Sequence, residues 1–146
     1  MLFYILPVIA GMTLTIQSGI NAQLRSALQH PWLAAFISFA VGTLALGVIL
    51  VVTKRSFPDA SVFSQISWYK YIGGLLGTFF VVVALLSVQR IGASNMIVLI
   101  VAGQLVTAVT LDHYGLLGIK PDPVTIQKIA GVMLVLIGAW LVNKKF

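Results

Sequence analysis

Five long stretches of this chain contain almost no charged residue, and this pattern excludes most soluble folds. The clearest stretch runs from Ala93 to Leu111 without one charged side chain. At about 1.5 Å of rise per helical residue, it is long enough to cross most of a bilayer's hydrocarbon core. Only 8% of the chain is charged and its mean hydropathy is +1.06, whereas soluble globular domains carry about 25% charged residues. The sequence therefore predicts an integral membrane protein.

We predict an all-α membrane protein with a single transmembrane domain over residues 1–146. Its five spans are expected at about residues 2–22, 32–52, 71–88, 93–111 and 124–142. Pro31 suits the first turn of the second span, and Lys54-Arg55 is expected to end it. The longest loop contains VFSQISWY, which predicts a short helix in the membrane interface with Trp68 and Tyr69 in the headgroup layer. Residues 89–92 are expected to form a tight turn.

Two spans carry polar side chains along one helical face, because residues spaced i, i+4 and i+8 lie above one another. The first span contains Thr13, Gln17 and Asn21; the fourth contains Gln104, Ala108 and Asp112, with Thr107 beside them. Unpaired polar groups in hydrocarbon cost several kcal/mol by rough estimates, so both faces should meet protein or a wet cavity. Substrate contact and hydrogen bonding between helices both remain open for these amides. We predict Thr13 and Thr107 as further substrate contacts, with Tyr71 or Trp68 near an entrance.

Small residues on other spans predict close packing between helices. Gly73, Gly74 and Gly77 open the third span, and Ser38 and Gly42 lie four residues apart in the second. Such spacings allow two helix backbones to approach closely. We expect these five positions to serve packing.

No arrangement of residues typical of an enzyme is present. The chain lacks cysteine, and two neighbouring ligands such as Asp112 and His113 are too few for a metal site. We therefore predict no enzymatic activity, cofactor or metal. If transport is coupled to protons, Asp112 or His113 is the expected carrier, although Asp112 could equally be an interfacial carboxylate that caps or pairs at the helix end. The neutral polar faces favour a neutral, zwitterionic or amphiphilic small molecule.

Positive charge is nearly balanced across the membrane. Five crossings place the termini on opposite sides, with five basic residues on the N-terminal side and four on the other. So small a difference does not fix one orientation by the positive-inside rule, and two copies inserted in opposite directions would form an inverted repeat. One fixed orientation is the alternative. The charges flank the spans, and no patch for nucleic acid is expected.

Motifs throughout the chain resemble the YdcZ-like family, a short five-helix branch of the drug/metabolite transporter superfamily. The segments that carry the resemblance are QSGINAQLRSAL, AAFISFAVGTLAL, YIGGLLGTFFVV, AGQLVTAVTLDHYGLLG and GVMLVLIGAWLV. The resemblance implies an inner-membrane protein of a prokaryote that works as a pair, either by dual topology or with a sister chain. Small multidrug resistance proteins, which are related, keep an acidic residue in their first helix. This chain has Gln17 there, which argues against antiport of cationic drugs for protons.

Three functional hypotheses follow. The first is a secondary transporter, an exporter built as an antiparallel homodimer of half units in the membrane lipid. The second is a transporter that needs an oppositely oriented sister chain. The third is a membrane accessory protein whose polar faces bind a larger protein.

Overall fold

Helices make up nearly all of the fold. A computed structural model describes residues 2–54 and 57–144, and in that part of the chain there is no β-strand. The six α-helices there are α1 (Leu2–Leu28), α2 (Pro31–Val52), α3 (Ala60–Gln65), α4 (Gly73–Ile91), α5 (Ala93–Tyr114) and α6 (Ile126–Asn143). Short 3₁₀ turns occupy Trp68–Ile72 and Leu116–Gly118. All helices except α3 are long and apolar enough to cross a membrane, which confirms the prediction of an all-α protein with five spans.

Two helix ends differ from the prediction. The first span was expected to end near residue 22, but α1 continues to Leu28 and contains 27 residues. The expected turn at residues 89–92 is wrong, because α4 continues to Ile91 and only Gly92, with φ of 81°, separates it from the start of α5. The short helix expected in the long loop is present as α3. Arg55 and Lys145, counted above among the flanking charges, lie outside the described residues.

Local hydrogen bonds explain where several helices begin. His30 precedes α2, and its Nδ1 accepts a hydrogen bond from the Leu33 amide at 3.2 Å, while Pro31 occupies the first turn. Thr125 precedes α6, and its Oγ1 accepts from the Lys128 amide at 3.3 Å. These side chains satisfy amides that have no partner within the first helical turn.

The chain divides into two compact units, residues 1–90 and 91–146. In the first unit, Ala34 and Ala35 of α2 pack against Val82 and Leu85 of α4 in a small core. In the second unit, α5 packs along α6, with Met96, Ala102 and Ala139 buried. Most large apolar side chains are exposed on the single chain, as expected for helices surrounded by lipid or by other helices.

Candidate functional site

A groove of about 490 Å³ lies between α1 and α2 in the first unit. Its walls combine neutral polar and aliphatic side chains. They are Thr13, Ile16, Gln17, Ile20, Asn21, Leu24, Ile37, Ser38, Val41 and Gly42. The volume falls in the range of about 300–1,000 Å³ typical of small-molecule sites. The groove therefore brings together the complete predicted stripe of α1 and four residues of α2.

Asn21 is the most constrained polar group of this groove. The residue as a whole is only 6% exposed, and its side chain makes no hydrogen bond with any residue in the described part of the chain. It lines both the groove and a narrow crevice between α1 and α4. In the described part of the chain no fully buried side-chain nitrogen or oxygen lacks a partner, so the unpaired amide atoms of Asn21 are accessible from the cavities that it lines. Asn21 is thus a largely buried residue whose amide remains an accessible donor and acceptor for a ligand.

The other predicted polar residues of α1 are more open. Gln17 is exposed, lines the same two cavities and has no hydrogen-bond partner among the described residues. The Thr13 hydroxyl donates to the Ala10 carbonyl at 2.8 Å, so toward a ligand it can act only as an acceptor. Together these side chains offer neutral hydrogen bonding without a charge.

Ser38 and Gly42, which we predicted as packing positions, form part of the α2 wall of the groove. A Cβ atom added at Gly42, Gly73 or Gly74 would meet no atom of the neighbouring helices within 4 Å. At Gly77 it would lie 3.7 Å from the Phe39 ring, so here α2 does approach α4. For the other glycines, close helix packing stays a prediction.

A polar cluster that the sequence analysis missed joins the ends of α1 and α4. Arg25 Nη1 donates to the Leu85 carbonyl at 3.2 Å and to Gln89 Oε1. Gln89 Nε2 donates to the Ala22 carbonyl at 2.9 Å and to Ser26 Oγ at 2.7 Å. The sequence does show Arg25 and Gln89 at the ends of two apolar runs, but it contains no pattern that predicts a contact between these two residues.

Trp68 and Tyr71, the predicted entrance residues, belong to the 3₁₀ turn before α4 and do not line the groove. The Tyr71 hydroxyl donates to the Phe63 carbonyl of α3 at 3.3 Å. Trp68 is 76% exposed and contacts Tyr69 edge to face. The Tyr71 hydrogen bond therefore joins the 3₁₀ turn to α3, and the entrance role of both rings stays a prediction.

The polar face of α5 lies in the second unit. Gln104 and Thr107 are exposed, and the Thr107 hydroxyl donates to the Gly103 carbonyl at 2.9 Å. At the end of the same helix, Asp112 is half-buried, whereas His113 is exposed and its Nδ1 accepts from the Val124 amide at 3.2 Å. The structure thus keeps the predicted face continuous on one uninterrupted helix.

Five apolar spans and a neutral, ligand-sized groove define a multi-pass membrane protein suited to handling small molecules. The chain matches the family described as "Putative inner membrane exporter, YdcZ" over residues 2–141, and it belongs to that family. It is 29% identical over 136 residues to the inner membrane protein YdcZ of Escherichia coli (strain K12), covering 93% of this chain and 91% of that relative. No solved structure matches the chain. The resemblance and the inner-membrane location expected from the sequence are confirmed.

Proposed function

We propose that this protein is a secondary exporter of a small neutral, zwitterionic or amphiphilic compound, and that the compound binds in the groove between α1 and α2. The observation that carries this proposal is Asn21, whose amide has no partner among the described residues and is accessible at the wall of a ligand-sized groove. A substrate that exchanges hydrogen bonds with this amide would satisfy it. The family supports export as the activity.

The groove walls indicate what kind of compound fits. Ile16, Ile20 and Val41 provide apolar surface, whereas Gln17 and Asn21 provide donors and acceptors. No charged side chain lines this groove, so an isolated net charge on the substrate would lose its hydration without a counter-charge there. An apolar body with a hydrogen-bonding head fits best.

We further propose that two chains assemble in opposite orientations. The nearly equal numbers of flanking basic residues support insertion in both directions. Gln104 and Thr107 are exposed on the single chain, and a second copy would give this polar face a protein or cavity environment. Inverted repeats are a common basis of alternating access in transporters.

If a proton is coupled to export, Asp112 is the better placed carrier, because the Nδ1 atom of His113 already accepts a hydrogen bond.

The experiment compares the compounds exported by cells that produce different variants. Asn21→Leu keeps a similar side-chain size but removes both hydrogen-bonding groups. We expect the medium of wild-type producers to be enriched in one or a few compounds, and the enrichment to fall about tenfold with Asn21→Leu, the loss expected for one buried hydrogen bond. Mass spectrometry of the spent medium measures this difference.

Gln65→Leu is the matched control, because Gln65 is an exposed amide on α3, away from the groove. It should leave the enrichment unchanged. Membrane levels of each variant, read by immunoblot, separate lost export from lost protein. Full enrichment with Asn21→Leu at equal membrane levels would refute the assignment of the site, and no enriched compound in any strain would refute export.

A further inference from the structure

A second cavity, of about 420 Å³, lies at the end of α5 in the second unit. It is lined by Asp112 of α5 and by Lys120, Pro121 and Asp122 of the following loop. It is separate from the groove between α1 and α2, and every residue but one in its lining is charged. Its chemistry is therefore different from that of the neutral groove.

Several contacts hold the loop over the end of α5. The Asp122 amide donates to the Asp112 carbonyl at 2.8 Å, and the Val124 amide donates to His113 Nδ1. The ring of Pro121 lies directly against Gly115, where a Cβ atom would come within 2.6 Å of Pro121 Cγ. The charged lining thus belongs to a loop that is fixed to the helix.

The charges of this cavity are unevenly paired. Lys128 Nζ lies 2.7 Å from Asp122 Oδ2 and also donates to the Asp122 carbonyl at 3.0 Å, so Asp122 already has its cation. In residues 57–144, neither the Asp112 carboxylate nor the Lys120 ammonium forms an ion pair or hydrogen bond through its side chain. Asp112 is half-buried, which weakens its hydration and favours a cationic partner. One negative and one positive group therefore line the same cavity without a partner.

We propose that this cavity binds a primary ammonium group joined by a short linker to a phosphate, as in the headgroup of an amine-bearing phospholipid. The Asp112 carboxylate accepts hydrogen bonds from the ammonium group, and the Lys120 ammonium contacts the phosphate. Both are charge-assisted contacts, which are stronger than hydrogen bonds between neutral groups.

Apolar residues beside the cavity favour a lipid over a soluble zwitterion. Leu116 and Leu117 are 47% and 79% exposed, and Ile119 is 40% exposed. They occupy the same loop, at the end of a span that is long enough to cross the membrane. Such surface is suited to acyl chains, so a headgroup bound at Asp112 and Lys120 would leave its chains against these side chains.

Native mass spectrometry of the purified full-length protein tests the proposal. The probes are phosphatidylethanolamine, phosphatidylcholine and phosphatidylglycerol with identical acyl chains. We expect phosphatidylethanolamine to be retained most, because the choline group has no N–H to donate and the glycerol headgroup has no cation. Asp112→Asn should lower the retention of phosphatidylethanolamine about tenfold. Lys120→Gln should lower the retention of both phosphatidylethanolamine and phosphatidylglycerol.

Asp59→Asn and Lys70→Gln are matched controls, because both residues are exposed and lie in the loop between α2 and α4. Neither should change lipid retention. Equal retention of the three lipids, or unchanged retention in Asp112→Asn with the same helical circular dichroism, would overturn the proposal. Phosphoethanolamine that binds as tightly as the whole lipid would overturn the lipid as the source. Binding is measured without a proton gradient, so this result is distinct from any loss of export.

Discussion

The end of α5 depends on a single glycine. Gly115 has φ of 62° and faces the Pro121 ring. Gly115→Ala therefore introduces left-handed strain of about 1–2 kcal/mol and a clash with a rigid ring that costs about 1–3 kcal/mol more. We expect a destabilisation of about 2–5 kcal/mol, measured as a lower midpoint of thermal unfolding in detergent.

Gly118→Ala separates the two causes. Gly118 has φ of 79°, but a Cβ atom there would meet no atom within 4 Å. Gly118→Ala should therefore lose only about 1–2 kcal/mol of stability, the cost of the left-handed strain alone. The double variant Gly115→Ala/Pro121→Ala should recover part of the stability lost by Gly115→Ala. Equal thermal midpoints for Gly115→Ala and Gly118→Ala would show that the Pro121 ring moves aside without a cost in stability.

At the scale of elements, the contact between α1 and α4 depends on Gln89. This side chain accepts from Arg25 and donates to the Ala22 carbonyl and to Ser26. Gln89→Leu keeps the size but removes all three hydrogen bonds, leaving Arg25 with the Leu85 carbonyl. Because the site is partly exposed, we expect a loss of about 1–2 kcal/mol of stability, read from the thermal midpoint.

Gln127→Leu provides the comparison for this change. Gln127 is an exposed amide in the first turn of α6, without a hydrogen bond to any described residue. Its substitution should change stability by less than about 0.5 kcal/mol. If both variants melt alike, the cluster does not stabilise the joined ends of α1 and α4.

The same cluster shows how far the elements could be predicted from sequence. Hydropathy places five spans correctly, because about 20 apolar residues are needed to cross a bilayer. Hydropathy also ended the predicted first span too early and assigned residues 89–92 to a turn, because Arg25, Gln89 and Arg90 are polar. Arg25 and Gln89 satisfy each other across two helices, and this partnership is a tertiary contact with no periodic signal.

The candidate site was predictable to a similar degree. The spacing of Thr13, Gln17 and Asn21 places them on one face, and they do line one groove. Spacing alone could not show that Asn21 is buried without a partner, whereas Thr13 bonds within its own helix. That distinction depends on α2 and α4, which approach from other parts of the sequence.

For the whole molecule, the central prediction is the presence of two orientations in the membrane. The chain has no cysteine, so Ser61→Cys and Ser94→Cys introduce single thiols at exposed positions. One crossing separates these two sites, which places them on opposite sides of the membrane. In intact cells, a membrane-impermeant thiol reagent should label each variant partly, and permeabilisation should complete both reactions.

Complete labelling of one site and none of the other would contradict dual orientation. Wild-type protein, which has no thiol, gives the background of the same reagent. A fixed orientation would direct attention to a sister chain, whose own labelling should then show the opposite pattern.

The uncharged lining of the groove between α1 and α2 has an electrical consequence. Moving one elementary charge through 100 mV changes its energy by about 2.3 kcal/mol. In the proposed export cycle the groove would face first one aqueous phase and then the other, and its uncharged side chains would contribute no such energy. In that cycle the membrane potential would do work on the cargo and any accompanying ion, but not on the side chains that line the groove. A current recorded during export would report the valence of what is carried.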